Sequence, residues 1–266
     1  MECNIFNLLT YFIIYSIAGW VLESVYRSFC EKKLINTGFL YGPFCPIYGI
    51  GAIIMFLFLE KFQGKLLILF FISFFVLSLW EYIVGAFLEK VFKTRYWDYS
   101  KQKINIKGRV CLFNSICWGV LGVFFITYIH PYVEKNIELM NPYILRIVIY
   151  IIAIIVLIDS IVSIIKTKNI KLALQRVEEL NNQIKEKIEE IKKINNKNIK
   201  TDIVENMQKT VETLKKKKNR LYRSLYRRVY RLKKAFPDIQ SKEITEILNK
   251  KKELVKKEKK WYKRFI

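Results

Sequence analysis

One histidine, His130, supplies all the imidazole in this 266-residue chain, and the five cysteines (Cys3, Cys30, Cys45, Cys111 and Cys117) form no CxxC pair. A zinc site or a disulfide framework therefore has no recognisable ligand set, and free thiols are expected. No Ser-His-Asp or Cys-His arrangement stands out, so the chain does not read as an enzyme. Nor does GxxxxGK[ST] occur, which removes the glycine-bound phosphate cradle of a P-loop ATPase. His130 precedes Pro131 at the end of an apolar run and reads as an interfacial residue. Negative charge is scarce as well: 23 Asp and Glu stand against 46 Lys and Arg, a net charge of +23.

That excess is concentrated at one end. Of the 46 basic residues, 14 fall in residues 1–165 and 32 in residues 166–266, while the 23 acids divide 10 and 13, leaving +4 and +19. Residues 1–165 thus read as a membrane domain and residues 166–266 as a basic soluble tail. Five stretches are apolar over the roughly 20 residues a helix needs to cross hydrocarbon: 5–26, 40–59, 66–88, 111–129 and 143–165. The opening MECNIFNLL lacks a basic n-region, so the first span is expected to be retained. Lys and Arg crowd the loops after the first and third spans. Because such loops stay cytoplasmic, the expectation is a multi-pass cell-membrane protein with its N-terminus outside and its tail in the cytoplasm.

The first four spans carry an internal resemblance. GWVLESVYR (residues 19–27) aligns without gaps on GAFLEKVFK (residues 85–93), matching Glu23 with Glu89. Further on, INTGFLYGPFCPIYGIG and INIKGRVCLFNSICWGVLG share a leading Ile-Asn, a loop glycine and an aromatic-Gly pair, Tyr48-Gly49 against Trp118-Gly119. Both halves run outside to inside and back, which predicts a parallel repeat about an axis along the membrane normal. The fold class expected is all-α: five transmembrane helices, arranged as a 2+2 repeat plus one, and a helical or coiled-coil tail.

Carboxylates sit inside these apolar runs. Ser78, Glu81, Gly85 and Glu89 recur at three- and four-residue steps, a stripe that should face protein rather than lipid; Ser16, Gly19 and Glu23 form a matching one. Glu23 with Arg27 and Glu89 with Lys93 are spaced as i,i+4 pairs, worth only about a few tenths of a kcal/mol. Glu81 is deeper, roughly 12 Å from the inner end of its span, where an unpaired charge costs a few kcal/mol. Its repeat counterpart is Tyr15, and Arg109, Asn114 and Tyr15 are the partners to look for. Asp159 lies nearer an inner edge, within reach of water. Glu23, Glu81, Glu89, Tyr48, Arg109, Asn114 and Trp118 together form the candidate polar seam, a substrate path or a structural feature.

The loops add irregular backbone. TGFLYGPFCPIYGIG carries four glycines and two prolines, which interrupt a helix, so it reads either as a site-lining segment or as a kinked, closely packed helix. In RYWDYSKQKINIKGRV, Trp97 and Tyr99 have the character of interfacial anchors. Taken in order, YSIAGWVLES, NTGFLYGPFCPIYGIGA, WEYIVGAFLEKVF, YWDYS and INIKGRVCLFNSICWG resemble the CmpB-like family of type IV ABC-transporter permeases over nearly all of residues 1–165. The resemblance implies a membrane permease component that depends on a separate ATPase subunit. It brings no cofactor, substrate or catalytic residue, and it does not extend to the tail.

Within the tail, apolar residues fall at Leu174, Val177, Ile184, Ile188 and Ile191, with Asn181 and Asn195 at a shared heptad position. After NNKNIKTD, Asp202 and Glu205 suggest a capping box, and Val204, Met207, Val211, Leu214, Leu221, Leu225 and Leu232 continue a seam up to Pro237. An intramolecular hairpin and a homodimeric coiled coil both fit. A last basic helix is expected from about Ser241 onward. Tyr222, Tyr226 and Tyr230 form one row beside Arg223, Arg227 and Arg231, a face suited to anionic lipid headgroups, or simply solvated. Nucleic acid is the less favoured partner for it.

Three functions follow. The first is a transport component whose path runs along the seam. The alternative is a membrane-anchored scaffold whose basic tail recruits an acidic partner or anionic lipid. A lipid-modifying enzyme comes last, for want of a nucleophile.

Overall fold

The long apolar runs fold as helices because a helix satisfies every backbone N–H and C=O within its own segment. In the computed structural model, which describes residues 4–195 and 201–250, the order is α1 (Ile5–Glu31), α2 (Pro46–Leu59), α3 (Leu66–Phe92), a two-stranded hairpin of β1 (Asn105–Ile106) and β2 (Val110–Cys111), then α4 (Leu112–Phe124), α5 (His130–Glu138), α6 (Pro142–Lys168), α7 (Ile170–Asn195) and α8 (Thr201–Ala235). A π turn, Phe125–Ile129, joins α4 to α5. Four helical stretches are long and apolar enough to cross a membrane: α1, α3, Leu112–Glu138 and α6, each of 27 residues with mean hydropathy from 1.8 to 2.9.

The second expected span is the exception. Of residues 40–59 only Pro46–Leu59 is helical, and 14 residues reach about 21 Å, short of the roughly 30 Å of hydrocarbon. Gly38 takes φ 100°, a left-handed conformation, and Pro43 and Pro46 remove N–H donors, so the backbone over 32–45 stays irregular.

Residues 4–165 and 233–240 form one compact unit. In it α1 pairs with α2 and α3 with α4, through close glycine contacts. Gly49 lies on Ser16 and Phe12, Gly19 under the Tyr48 ring, Gly119 on Phe70 and Gly122 on Ser73. α2 and α4 each begin beside the middle of the preceding helix: Cys45 N–H donates to the Ser16 carbonyl at 2.9 Å, and Ser78 Oγ donates to Ser115 Oγ at 2.6 Å. Irregular chain covers the remaining half of α1, tied by Trp20 Nε1 to Asn36 (2.7 Å), Ile35 N–H to Ser28 Oγ (3.0 Å) and a Ser24–Thr37 hydroxyl pair (2.8 Å). Asp159 of α6 accepts from the Tyr41 and Gly42 amides at 3.1 and 2.7 Å, so it anchors this segment instead of projecting toward water.

Tyr11, Tyr15, Met55, Phe56, Leu59 and Phe125 lie in the core. His130 belongs there too, only 3% exposed, which corrects its interfacial reading. The π turn adds a residue just before it and turns the imidazole inward, where Tyr15 Oη lies 2.9 Å from Nδ1 and the Tyr11, Phe56 and Phe125 rings surround it. The opposite faces are apolar and uncovered: Phe71, Phe75, Leu79, Ile83 and Phe87 make one α3 row, each 49% to 65% exposed. A row of that kind is suited to hydrocarbon, not water.

The other unit comprises the described parts of 166–232 and 241–266. Leu174, Val177, Leu180 and Ile184 of α7 are buried, as are Val211, Leu225 and Val229 of α8. The two helices run antiparallel within one chain, Lys218 Nζ donating to Asn181 Oδ1 at 3.1 Å and Arg228 to the Lys166 carbonyl at 3.0 Å. Asn181, an amide on an otherwise apolar row, thus has a partner. Residues 242–250 are helical and pack here through Ile244 and Ile247. The side chains of Asn195 and Asp202, Cys3, and the remainder of the last expected helix lie outside the described residues.

Adding a methyl group at Gly49 forces the Phe12 carbonyl, 2.6 Å from the new Cβ, to move, whereas a Cβ at Gly51 finds its nearest neighbour, Trp80, at 3.7 Å. Gly49→Ala should therefore destabilise the detergent-solubilised protein by about 1–3 kcal/mol. Gly51→Ala should be neutral or stabilising by up to about 1 kcal/mol. Thermal melts of the two variants check the contrast.

Candidate functional site

A short loop builds the first wall of the site. Lys93, at φ 52°, ends α3 and turns the chain back along it. Asp98 then accepts from Ser100, through the backbone N–H at 3.0 Å and the hydroxyl at 2.5 Å, and fixes an Asx turn. At the β1–β2 turn, Lys107 and Gly108 both adopt positive φ, 53° and 69°, as a tight hairpin requires. These two turns bring Trp97 Nε1 to the Arg109 carbonyl at 2.9 Å and aim Tyr99 into the bundle.

Tyr99 reaches Glu81. Its hydroxyl donates to Glu81 Oε1 at 3.1 Å, Trp118 Nε1 donates to Oε2 at 3.0 Å, and Asn114 Nδ2 supports Tyr99 Oη at 2.6 Å. Among the described residues no Lys or Arg lies within 4.0 Å of this carboxylate. Of the partners sought for Glu81, Asn114 is present at one remove, while Arg109 and Tyr15 are engaged elsewhere.

Arg109 clamps Glu89 instead. Its Nη2 and Nε lie 2.9 and 3.1 Å from Glu89 Oε2, its Nη1 donates to Tyr82 Oη at 3.1 Å, and Arg95 adds a contact at 3.3 Å to Glu89 Oε1. The expected Glu89–Lys93 pair does not form, because the left-handed residue at 93 leaves the helical row that i,i+4 spacing assumes. Glu23 keeps its expected partner, Arg27, at 3.3 Å, and also accepts from Tyr48 Oη at 2.8 Å. Tyr48 and Trp118, matched in the sequence as aromatic-Gly pairs, therefore hold Glu23 and Glu81, and their rings stand 6.2 Å apart.

An open cavity of about 440 Å³ lies beside Glu23 and Glu81. Glu23, Tyr48, Trp80, Glu81, Tyr99 and Trp118 line it, with Asn114 and Arg27 beside them; Arg109 and Glu89 stand outside its lining. Trp80 is itself fixed by donating to the Ile47 carbonyl at 3.1 Å. Sequence reasoning missed Trp80, and it took Tyr99 for an anchor. The Asx-turn signal in WDYS was the available clue that Tyr99 is aimed inward.

The cavity's last wall comes from far along the chain. Pro237 stops α8, and residues 233–240 return to this unit, where Arg95 and Gln240 exchange backbone hydrogen bonds of 3.1 and 2.8 Å. Gln240 Nε2 donates to Asp98 Oδ2 at 2.7 Å, and Phe236 meets Tyr96 edge-on at 5.0 Å. Phe236 and Asp238 thereby join the lining. The tail-surface residues belong to the other unit: Tyr222 is half-buried with its hydroxyl on the Ile247 carbonyl (3.0 Å), Tyr226 and Tyr230 stack at 5.8 Å, Arg223 and Arg227 are exposed, and Arg231 is half-buried.

A family model described as "Putative ABC-transporter type IV" matches residues 10–164, more than half of the chain, covering α2, α3, α4 and all but the first five residues of α1. No curated protein and no solved structure matches it.

Asp98 joins the loop to the returning segment, and its charge state is well defined. The Ser100 hydroxyl, then the Ser100 amide, Gln240 and Arg95, hold its carboxyl below the ordinary aspartate range. Because the folded pKa is depressed, the contribution is complete above the unfolded value and is lost only as pH falls through the folded one, so docking should be indifferent to pH over roughly 5–8. Asp98→Ala should raise hydrogen exchange at the Gln240 amide by about three- to tenfold, an exposed site being screened by water. Mass-spectrometric exchange at neutral pH checks this.

Proposed function

The chain belongs to the type IV ABC-transporter family, and we propose that it is the membrane-spanning component of a transporter whose ATP hydrolysis is supplied by a separate subunit. The observation that carries the reading is the cavity walled by the α1–α2 and α3–α4 pairs, with Glu23 and Glu81 lining it. Two such pairs, each closing on the other through Tyr48 and Trp118, are what a parallel duplication would produce. Rocking of one pair against the other would open and close the cavity around fixed carboxylates.

Residues 32–59 form the fifth crossing in this reading. The irregular stretch completes what the 14 residues of α2 cannot span, and its polar backbone is tolerated because α1 side chains and Asp159 satisfy it. With five crossings and the basic loops cytoplasmic, the N-terminus would lie outside and the tail on the cytoplasmic side. There Arg223 and Arg227 would be available to anionic headgroups, at about 1 kcal/mol each.

Two experiments test these statements. Cysteines introduced at Lys33 and Gln63 in a cysteine-free background should lie on opposite faces, only Gln63→Cys reacting with an impermeant maleimide in intact cells. Labelling of both from one side would remove the fifth crossing. For the path itself, cells lacking the gene should differ from complemented cells in the small molecules retained or released. Glu81→Gln, inserted at normal levels, should fail to restore the profile, and full restoration would end Glu81's role.

A further inference from the structure

The cavity's chemistry is one-sided. Of its eighteen lining residues eight are aromatic, three are acidic and one, Arg27, is basic. Arg27 is already engaged by Glu23 at 3.3 Å. Glu81 is 6% exposed, and each of its oxygens accepts one bond from a neutral donor, Tyr99 or Trp118. With no Lys or Arg against it among the described residues, this carboxylate lines the cavity without a cationic partner.

Three ligand classes can be weighed against that surface. An anion would meet Glu81 and Asp238 with no free base among the lining residues. An uncharged apolar molecule would match the rings but leave a buried carboxylate uncompensated, the costliest outcome for a charge out of water. A cation carrying alkyl groups suits both features, because its charge is attracted by the carboxylate and by the faces of Trp and Tyr. Trp80, Trp118 and Tyr48 are held in place by hydrogen bonds to Ile47, Glu81 and Glu23, so such a cage is preorganised. The volume, about 440 Å³, falls within the usual range for small-molecule sites.

We infer that the cavity binds a monovalent organic cation of the alkylamine or quaternary-ammonium class, its charge against Glu81 and its alkyl groups among Tyr48, Trp80 and Trp118. The inference rests on the cavity being the substrate path and adds the substrate's class. Inorganic cations are poorly served, since among the described residues no group of three or more His, Cys, Asp or Glu converges to supply the six to eight oxygens that a hard ion such as calcium takes.

Binding can be measured on the purified full chain in lipid nanodiscs, with no ATPase present. Choline is the probe, and 3,3-dimethylbutan-1-ol, which has carbon in place of its nitrogen, is the neutral control. Calorimetric titration should show choline binding at least about tenfold more tightly than the control. Glu81→Gln should bring the two within about twofold of each other by weakening choline binding. Equal binding of the two by the unmodified protein, absence of choline binding up to about 10 mM, or an unaltered preference in Glu81→Gln would each overturn the inference. If choline binding fails while Glu81→Gln still abolishes complementation, the path survives and only the cation class is lost.

Discussion

A carboxylate held inside a helical bundle by neutral donors is the constraint around which this protein is arranged. Glu81 accepts from Tyr99 and Trp118, and each donor depends on a separate piece of architecture. Trp118 is delivered by a short helix that Ser78 and Phe70 seat against α3. Tyr99 arrives on a loop that needs an Asx turn at Asp98, a tight hairpin at Lys107–Gly108 and the arginine clamp on Glu89. Without these turns the carboxylate would keep its desolvation cost and lose its partners.

The same logic explains why the short helices begin where they do. α2 starts at Pro46 and so carries Tyr48 onto Glu23 at the wall of the cavity. The irregular stretch before it is held by hydrogen bonds to Ser24, Ser28, Ser16 and Asp159. Residues 233–240 close the remaining side through a backbone exchange with Arg95 and a ring contact on Tyr96.

Much of this was legible in the sequence, and the failures have physical causes. Hydropathy located the long helices, and helical spacing placed Ser78, Glu81, Gly85 and Glu89 on one face, each now seen against protein. Hydropathy could not shorten the second span, because an apolar run scores alike whether or not glycine and proline break it. The Glu89–Lys93 pair failed at a helix end, where i,i+4 spacing stops applying. His130 was misplaced by a π turn, a one-residue insertion with no sequence signature. The partnership of Glu81 with Tyr99, 18 residues away, depends on a loop path that local patterns do not encode.

Whether Glu81 governs a water-accessible, cation-selective cavity can be read at Gly51, which lines it and has room for a side chain. In a cysteine-free background, Gly51→Cys is exposed to a trimethylammonium-bearing methanethiosulfonate and to its sulfonate-bearing analogue, and the two reaction rates are compared. The cationic reagent should react about tenfold faster after correction for its intrinsic reactivity, with the preference abolished by Glu81→Gln. Equal corrected rates, or no reaction with either reagent, would contradict a cation-attracting cavity at Glu81.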